Sequence, residues 1–233
     1  MNFYYDEEAI RFLKAKDPIL ADIIDRIGPI ERPIDADLFS ALINNIVGQQ
    51  ISMKAQETVW KRMLAAFGAI TPENLCRASV EEIQQCGLST RKATYIREAA
   101  EKVLSGECDL EALKDMKDEA VIAELSHLRG IGKWTAEMLL IFSMGRQDVL
   151  SWDDLAIHRG LRMVYHHRKI TKQLFQKYKR RFAPYGSVAS LYLWEVSVGV
   201  LPDLKDYAPL SEAEKRKRLK QRQELKRAEK QLL

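Results

Sequence analysis

Two acids, Asp153 and Asp154, stand side by side directly ahead of an apolar-periodic run, LAIHRGLRMVYH. A carboxylate so placed lies at a helix N-terminus, where the helix dipole keeps it ionised. Fixed in a water-poor site, it can stabilise developing positive charge, or orient and deprotonate a water molecule. Upstream, Leu128-Arg129-Gly130-Ile131-Gly132-Lys133 joins two helical stretches through a glycine pair. Such a turn can pass close to another backbone. The amides beyond it open the next helix and suit an anionic oxygen, as in a phosphate strand gripped without reading its sequence. Lys133 adds charge there, and Ile131 tucks inward to hold the turn. On these residues alone two plainer readings stay open. A lone GxG is a generic helix-joining turn, and Ser151 with an acid three residues later is also a helix-capping pattern.

The elements that would carry these groups are helical. Asp17-Pro18 starts a helix closed by Gly28-Pro29, and Asp37 begins an apolar one ending near Val47-Gly48. Ser52 caps MKAQETVWKRMLAAF, which Gly68 stops. Thr71-Pro72-Glu73 opens a short helix, Ser79 to Glu82 forms a capping box, and Ser89 or Thr90 caps RKATYIREAAEKVL. Short helices over 109–116 and 117–127 precede the hairpin, and helices over 171–182 and 188–200 follow the acid pair. Residues 1–35 read as a short acidic lead-in. No β-branched alternation is long enough for a sheet, and no repeat is present. The expected fold is all-α, with about ten helices.

Composition excludes several classes. Apolar residues at 46% and charged residues at 30% describe an ordinary globular chain, and no apolar run approaches a membrane span. The N-terminus is acidic from Asp6 and lacks an apolar leader core, so a secretory signal is not expected. Cys76, Cys86 and Cys108 match neither a zinc site nor an iron–sulfur loop, and are expected as free thiols in a reducing cytoplasm. The net charge of +4 is unevenly spread: Leu155 to Phe182 holds nine Lys/Arg and no acid, and Glu212 to Leu233 nine against four. A near-neutral chain with concentrated basic segments fits a directed anionic contact.

The full run Leu128–Ala136, LRGIGKWTA, with its downstream Asp154, resembles the helix-hairpin-helix–GPD superfamily of DNA glycosylases. Ile46-Val47-Gly48-Gln49-Gln50-Ile51-Ser52, Gly87-Leu88-Ser89-Thr90-Arg91-Lys92-Ala93 and Ser190-Leu191-Tyr192-Leu193-Trp194 resemble its alkylation-repair branch, the AlkA-like DNA-3-methyladenine glycosylases II. The likeness covers roughly residues 35 to 202, with the motifs in the family's order.

The resemblance implies a two-lobed helical fold with the active-site cleft between lobes and no N-terminal β-sheet domain. One lobe would be residues 1–36 plus 150–210. The other, 37–149, would hold the hairpin motif at about 118–146, and 211–233 would be a basic tail. The implied activity is excision of alkylated purines such as 3-methyladenine from double-stranded DNA by a monomeric enzyme. Asp154 matches the catalytic position, with Asp153 its usual neighbour. Trp134, Met138 and Trp194 match the base pocket, with Tyr192 a further candidate, and Gln50 matches the residue that enters the base stack. Gly130, Ile131, Gly132 and Lys133 match the backbone clamp. Main-chain carbonyls of Ser126, Leu128 and Ile131 match a structural Na+ or K+ site; no other cofactor and no iron–sulfur cluster is expected. Two departures stand out: Trp152 replaces a common Pro, and Met138 a common aromatic. Relatives that also cleave the backbone carry Lys two residues after the second hairpin glycine; here that residue is Trp134, which implies base release alone. A different lesion, oxidised or deaminated, and a non-catalytic DNA-docking hairpin are the alternatives.

Overall fold

The structure, a computed structural model, describes residues 2–209; the basic stretch expected at 211–233 lies outside them. Among the described residues there are twelve α-helices and no strand, only an isolated bridge between Asn2 and Pro33. None of these helices is long and apolar enough to cross a membrane.

The helices form two packed groups. The first contains α1 (Glu7–Lys16), α2 (Pro18–Ile27), α10 (Leu155–Tyr165), α11 (Lys172–Phe182) and α12 (Gly186–Val198). The second contains α3 (Leu38–Gly48), α4 (Met53–Phe67), α5 (Pro72–Arg77), α6 (Val80–Gln85), α7 (Thr90–Leu104), α8 (Asp118–Ser126) and α9 (Lys133–Phe142). The chain crosses between groups at residues 28–37 and returns at 143–154.

Local chemistry sets most boundaries. Side-chain oxygens of Asp17, Asp37, Ser52, Thr71, Ser79, Ser89 and Thr171 accept amides of the first turns they precede, and Ser79 with Glu82 completes a capping box. Three expectations are corrected. The acidic lead-in is the helix α1, capped by Asp6 and anchored by buried Ala9 and Leu13. The helix expected at 109–116 is only a 3-10 turn, Ala112–Asp115, because its one buried residue, Leu113, offers too small an apolar face to extend it. The last helix begins at Gly186 and ends at Val198, before Gly199 at φ +90°.

Helices α10 and α12 approach most closely at Gly160. A Cβ there would overlap the Leu193 carbonyl, so only glycine lets the two backbones meet. That contact brings the N-terminus of α10 beside Trp194.

Candidate active site

Asp154 is the N-cap of α10 and only 6% exposed. Its Oδ1 accepts the amides of Ala156 and Ile157 at 2.8 and 2.9 Å. Its Oδ2 accepts the indole N–H of Trp134 at 2.9 Å and of Trp194 at 3.3 Å. Trp134 comes from α9 in one helix group and Trp194 from α12 in the other, so the carboxylate sits where the groups meet. Such a group has about four acceptor sites, and all four are taken. Every donor is electrically neutral. Among the described residues no lysine, arginine or histidine pairs with this carboxylate. Capping and charge delivery are therefore compatible: one oxygen caps the helix, and the other faces two aromatic donors.

The carboxylate is less open than a cleft wall would be. Its cover is Trp134, itself 42% exposed and separated from Gly132 by one residue. Asp154 thus lies one hydrogen bond away from an exposed indole that follows directly on the hairpin.

The hairpin is a tight turn leading into a helix start that no side chain caps. Gly130 adopts φ +85°, and a Cβ there would strike the Tyr95 ring. Ile131 is buried and its amide donates to the Leu128 carbonyl. Gly132 caps α9 without any side-chain bond, which leaves the first-turn amides without an intrahelical partner and available to a ligand. Lys133 is exposed, with Nζ 3.8 Å from Glu137. The Leu128 carbonyl keeps a second lone pair, while Ser126 and Ile131 offer neutral carbonyls of the kind a monovalent cation takes.

Met138 is buried one turn beyond Trp134 on α9. Tyr192 is not brought to this site. It is 1% exposed, its hydroxyl donates to the Gly28 carbonyl, and it borders a separate cavity of about 360 Å³ with Tyr5, Ile10 and Ile24. The reason is periodicity: two residues along a helix turn a side chain to the opposite side from Trp194. Gln50 is exposed in the turn between α3 and α4, at φ +59°. Trp152 packs edge-on against His158 and Phe175, with Lys172 Nζ 5.9 Å from its ring, and its carbonyl bonds the His158 ring.

Sequence reasoning missed Glu137. It is buried in α9, and it accepts the Ser151 hydroxyl, tying the loop that carries Asp154 to the helix that carries Trp134. Burial pushes its carboxyl up from the ordinary value, opposed by Ser151 and Lys133. A lone acid inside the apolar run WTAEMLLIF was the available signal.

A helical hairpin stands beside a buried carboxylate that has no counter-ion among the described residues, an arrangement suited to gripping an anionic strand and to chemistry on an electron-poor centre. Residues 43–184 match the HhH-GPD superfamily of base excision DNA repair proteins, and the chain belongs to that family. It is 35% identical over 164 residues to DNA-3-methyladenine glycosylase 1 of Schizosaccharomyces pombe, covering 68% of this chain and 72% of that protein. A DNA-3-methyladenine glycosidase from Bacillus halodurans superposes with a TM-score of 0.78 at 35% identity, covering 87% of this chain and 95% of the other. The S. pombe 3-methyladenine DNA glycosylase, solved in complex with abasic DNA, gives 0.71 at 30% identity over 82% of this chain and 97% of its own.

Proposed function

We propose that this protein is a DNA N-glycosylase of base excision repair that flips out alkylated purines such as 3-methyladenine and hydrolyses their glycosidic bond. The observation that carries the reading is that Asp154, at the junction of the two helix groups and next to the hairpin, has no cationic partner among the described residues. Breaking the C1′–N bond sends its electron pair to the base and leaves positive charge on the sugar. An N-alkylated purine is cationic before cleavage and departs neutral, so the enzyme need not protonate it. Asp154 stabilises the sugar cation and directs water to C1′, and the water's proton passes to Oδ2 or to solvent. Because all acceptor sites of the carboxylate are filled, one indole must yield to that water. Trp134, the more exposed, is the one that moves.

Trp134 and Trp194 supply aromatic faces for a cationic base, with Met138 behind them. The two helix groups act as lobes around the cleft. Amides at Gly130–Lys133 hold the phosphate strand, and carbonyls of Ser126, Leu128 and Ile131 would hold a monovalent cation that adds positive charge there. Gln50, exposed at a turn tip, fills the gap that the flipped nucleotide leaves.

The chain releases the base and leaves the backbone intact. Lys133 lies next to Trp134 on a different helical face, with Nζ 3.8 Å from Glu137, so its amine does not take the position that Trp134 occupies. Borohydride added during turnover should trap no protein–DNA adduct; a covalent band would overturn this part. The activity itself is tested by incubating methylated genomic DNA with pure protein and identifying released bases by mass spectrometry. Alkylated purines are expected. Oxidised or deaminated bases in their place would move the specificity, and no base at all would leave a docking protein.

A further inference from the structure

The turn carrying Gln50 is not a free loop. Lys92 Nζ donates to the carbonyls of Val47 and Gln49 at 2.8 and 2.5 Å, capping the C-terminal end of α3 with a cation. The Gln49 side chain reaches the other way and donates to the Gly130 carbonyl in the hairpin at 2.6 Å. On the inner side, Gln56 Nε2 bonds both the Asn44 carbonyl and its side-chain oxygen, in the space that glycine at 48 leaves open. A non-glycine residue at φ +59° persists where its surroundings fix it. Here they do so from three directions.

The same helix that supplies Lys92 also carries the hairpin. Lys92, Tyr95 and Glu98 follow at intervals of three along α7. Tyr95 underlies Gly130, and Glu98 accepts Arg129 at 3.1 Å. Residues three apart are neighbours on a helix surface, so one side of α7 touches the stack-entering turn at one end and the phosphate-gripping turn further along. Gln49 closes the triangle directly between them.

We infer that Lys92 and Gln49 are positioning residues that set the separation of Gln50 from the hairpin, making wedge and clamp one rigid caliper built on α7. This rests on the wedge reading of Gln50 given above. The span of the caliper must match the distance from the vacated base position to the gripped phosphate. Insertion of the wedge and seating of the phosphate then occur together, and binding energy at the clamp is available to unstack the base. Burial also pushes the Lys92 ammonium below its ordinary value, in keeping with a cation committed to carbonyls and shielded from solvent.

The test uses Lys92→Met and Gln49→Met, which keep volume and remove donors, each alone and combined with Gln50→Ala. Single-turnover base release is measured on a methylated duplex and on the same strand unpaired, with melting followed in parallel. Each methionine variant should lose roughly tenfold to a hundredfold on duplex, the scale of a small misplacement, and far less on the unpaired strand. In the Gln50→Ala background the extra loss should vanish, since a missing wedge cannot be misplaced. Equal losses on both substrates would make the contacts merely structural and overturn the caliper. So would a duplex defect in Gln50→Ala with none in Lys92→Met or Gln49→Met, while leaving the wedge itself standing. Full duplex activity in Gln50→Ala would remove the wedge reading and the caliper with it. If Lys92→Met fails to fold, Gln49→Met at the half-buried turn decides the question alone.

Discussion

Asp17 and Asp154 are built alike up to one atom. Both are buried, at 2% and 6% exposure, and both cap a helix by accepting two amides through Oδ1. They part at Oδ2. Asp17 receives the Tyr165 hydroxyl at 2.9 Å and the Arg181 guanidinium at 2.7 Å; Asp154 receives two indoles. In the first pair a cation cancels the charge, and the field outside is small. Burial, with Asp17 beside it, pushes the Tyr165 hydroxyl far above its ordinary value, so the phenol stays a neutral donor to this pair. In the second, neutral dipoles solvate the charge without cancelling it, so it remains to act on whatever stands opposite. One aspartate holds the fold together, and its twin is held by the fold.

The largest expected effect tests that division. Asp154→Asn should slow base release by about 10²–10³, the usual loss on removing a charge-stabilising group. Stability should fall by only about 1 kcal/mol, because Asn also caps helices well but cannot accept from both indoles with its amide. Single-turnover kinetics with melting curves would separate the two; a large melting loss with intact activity per folded molecule would make Asp154 a second Asp17. The reverse is expected of Asp17→Ala. It removes a cap and leaves Arg181 and Tyr165 without their partner, at a cost of about 2–3 kcal/mol, moderated because the Arg181 side chain is 44% exposed. Denaturant melts should show that loss, with base release per folded molecule unchanged.

The sequence displayed the caps but not what the capping acids face. Ser79-Val80-Glu81-Glu82 and Asp154 ahead of LAIHRGLR are local patterns, and local hydrogen bonds fulfil them. The indoles on Asp154 come from 20 and 40 residues away on two different helices, and the arrival of Trp194 depends on α10 meeting α12 at Gly160. Nothing within one helical turn encodes that. The expectation for Tyr192 fails for a related reason: residues 186–193 of α12 are buried on every side, so helical spacing cannot say which neighbour each faces. Helix α1 was hidden because Asp6-Glu7-Glu8 reads as an acidic run, although acids at a helix start are what the dipole favours. Lys92 and Gln49 lie inside the runs Gly87–Ala93 and Ile46–Ser52, but their partners are main-chain carbonyls, which carry no residue signature.

Between the two aspartates in effect stand the indoles. Trp134→Phe keeps an aromatic ring, smaller than the indole, and deletes one donor to Oδ2. A hydrogen bond to a charged acceptor contributes about 1.5–3 kcal/mol, but Trp134 is half exposed and water can replace it, so the lower end applies. Because Trp134 gives way to the attacking water, that loss falls on the resting enzyme, and base release should fall by up to about tenfold through the smaller aromatic face left for the base. Trp194, packed on Phe142 at 5.5 Å, is less replaceable, and Trp194→Phe should cost stability as well as rate. Were Trp194→Phe as active as wild type, dipolar solvation of Asp154 by the indole that stays would have no part in the chemistry.

The smallest effect concerns a third buried acid, intermediate between the twins. Glu137 has a cation, but Lys133 stands off at 3.8 Å, and its firm partner is the Ser151 hydroxyl. Burial therefore wins, and the folded carboxyl keeps its proton to higher pH than the unfolded chain, whose glutamates titrate near about 4.3. Over that interval the native state binds more protons, so this group makes stability fall as pH rises, and the fall ends above the folded value. Glu137→Gln still accepts from Ser151 and cannot ionise. Its stability relative to wild type should be nearly level in acid, climb through the interval, and hold a gain of under about 1 kcal/mol at neutral pH. Denaturant titrations at a series of pH values would read this directly. A difference that stays constant with pH would mean that Lys133 compensates Glu137 as fully as Arg181 does Asp17, and the ranking of the three acids by their counter-ions would fail.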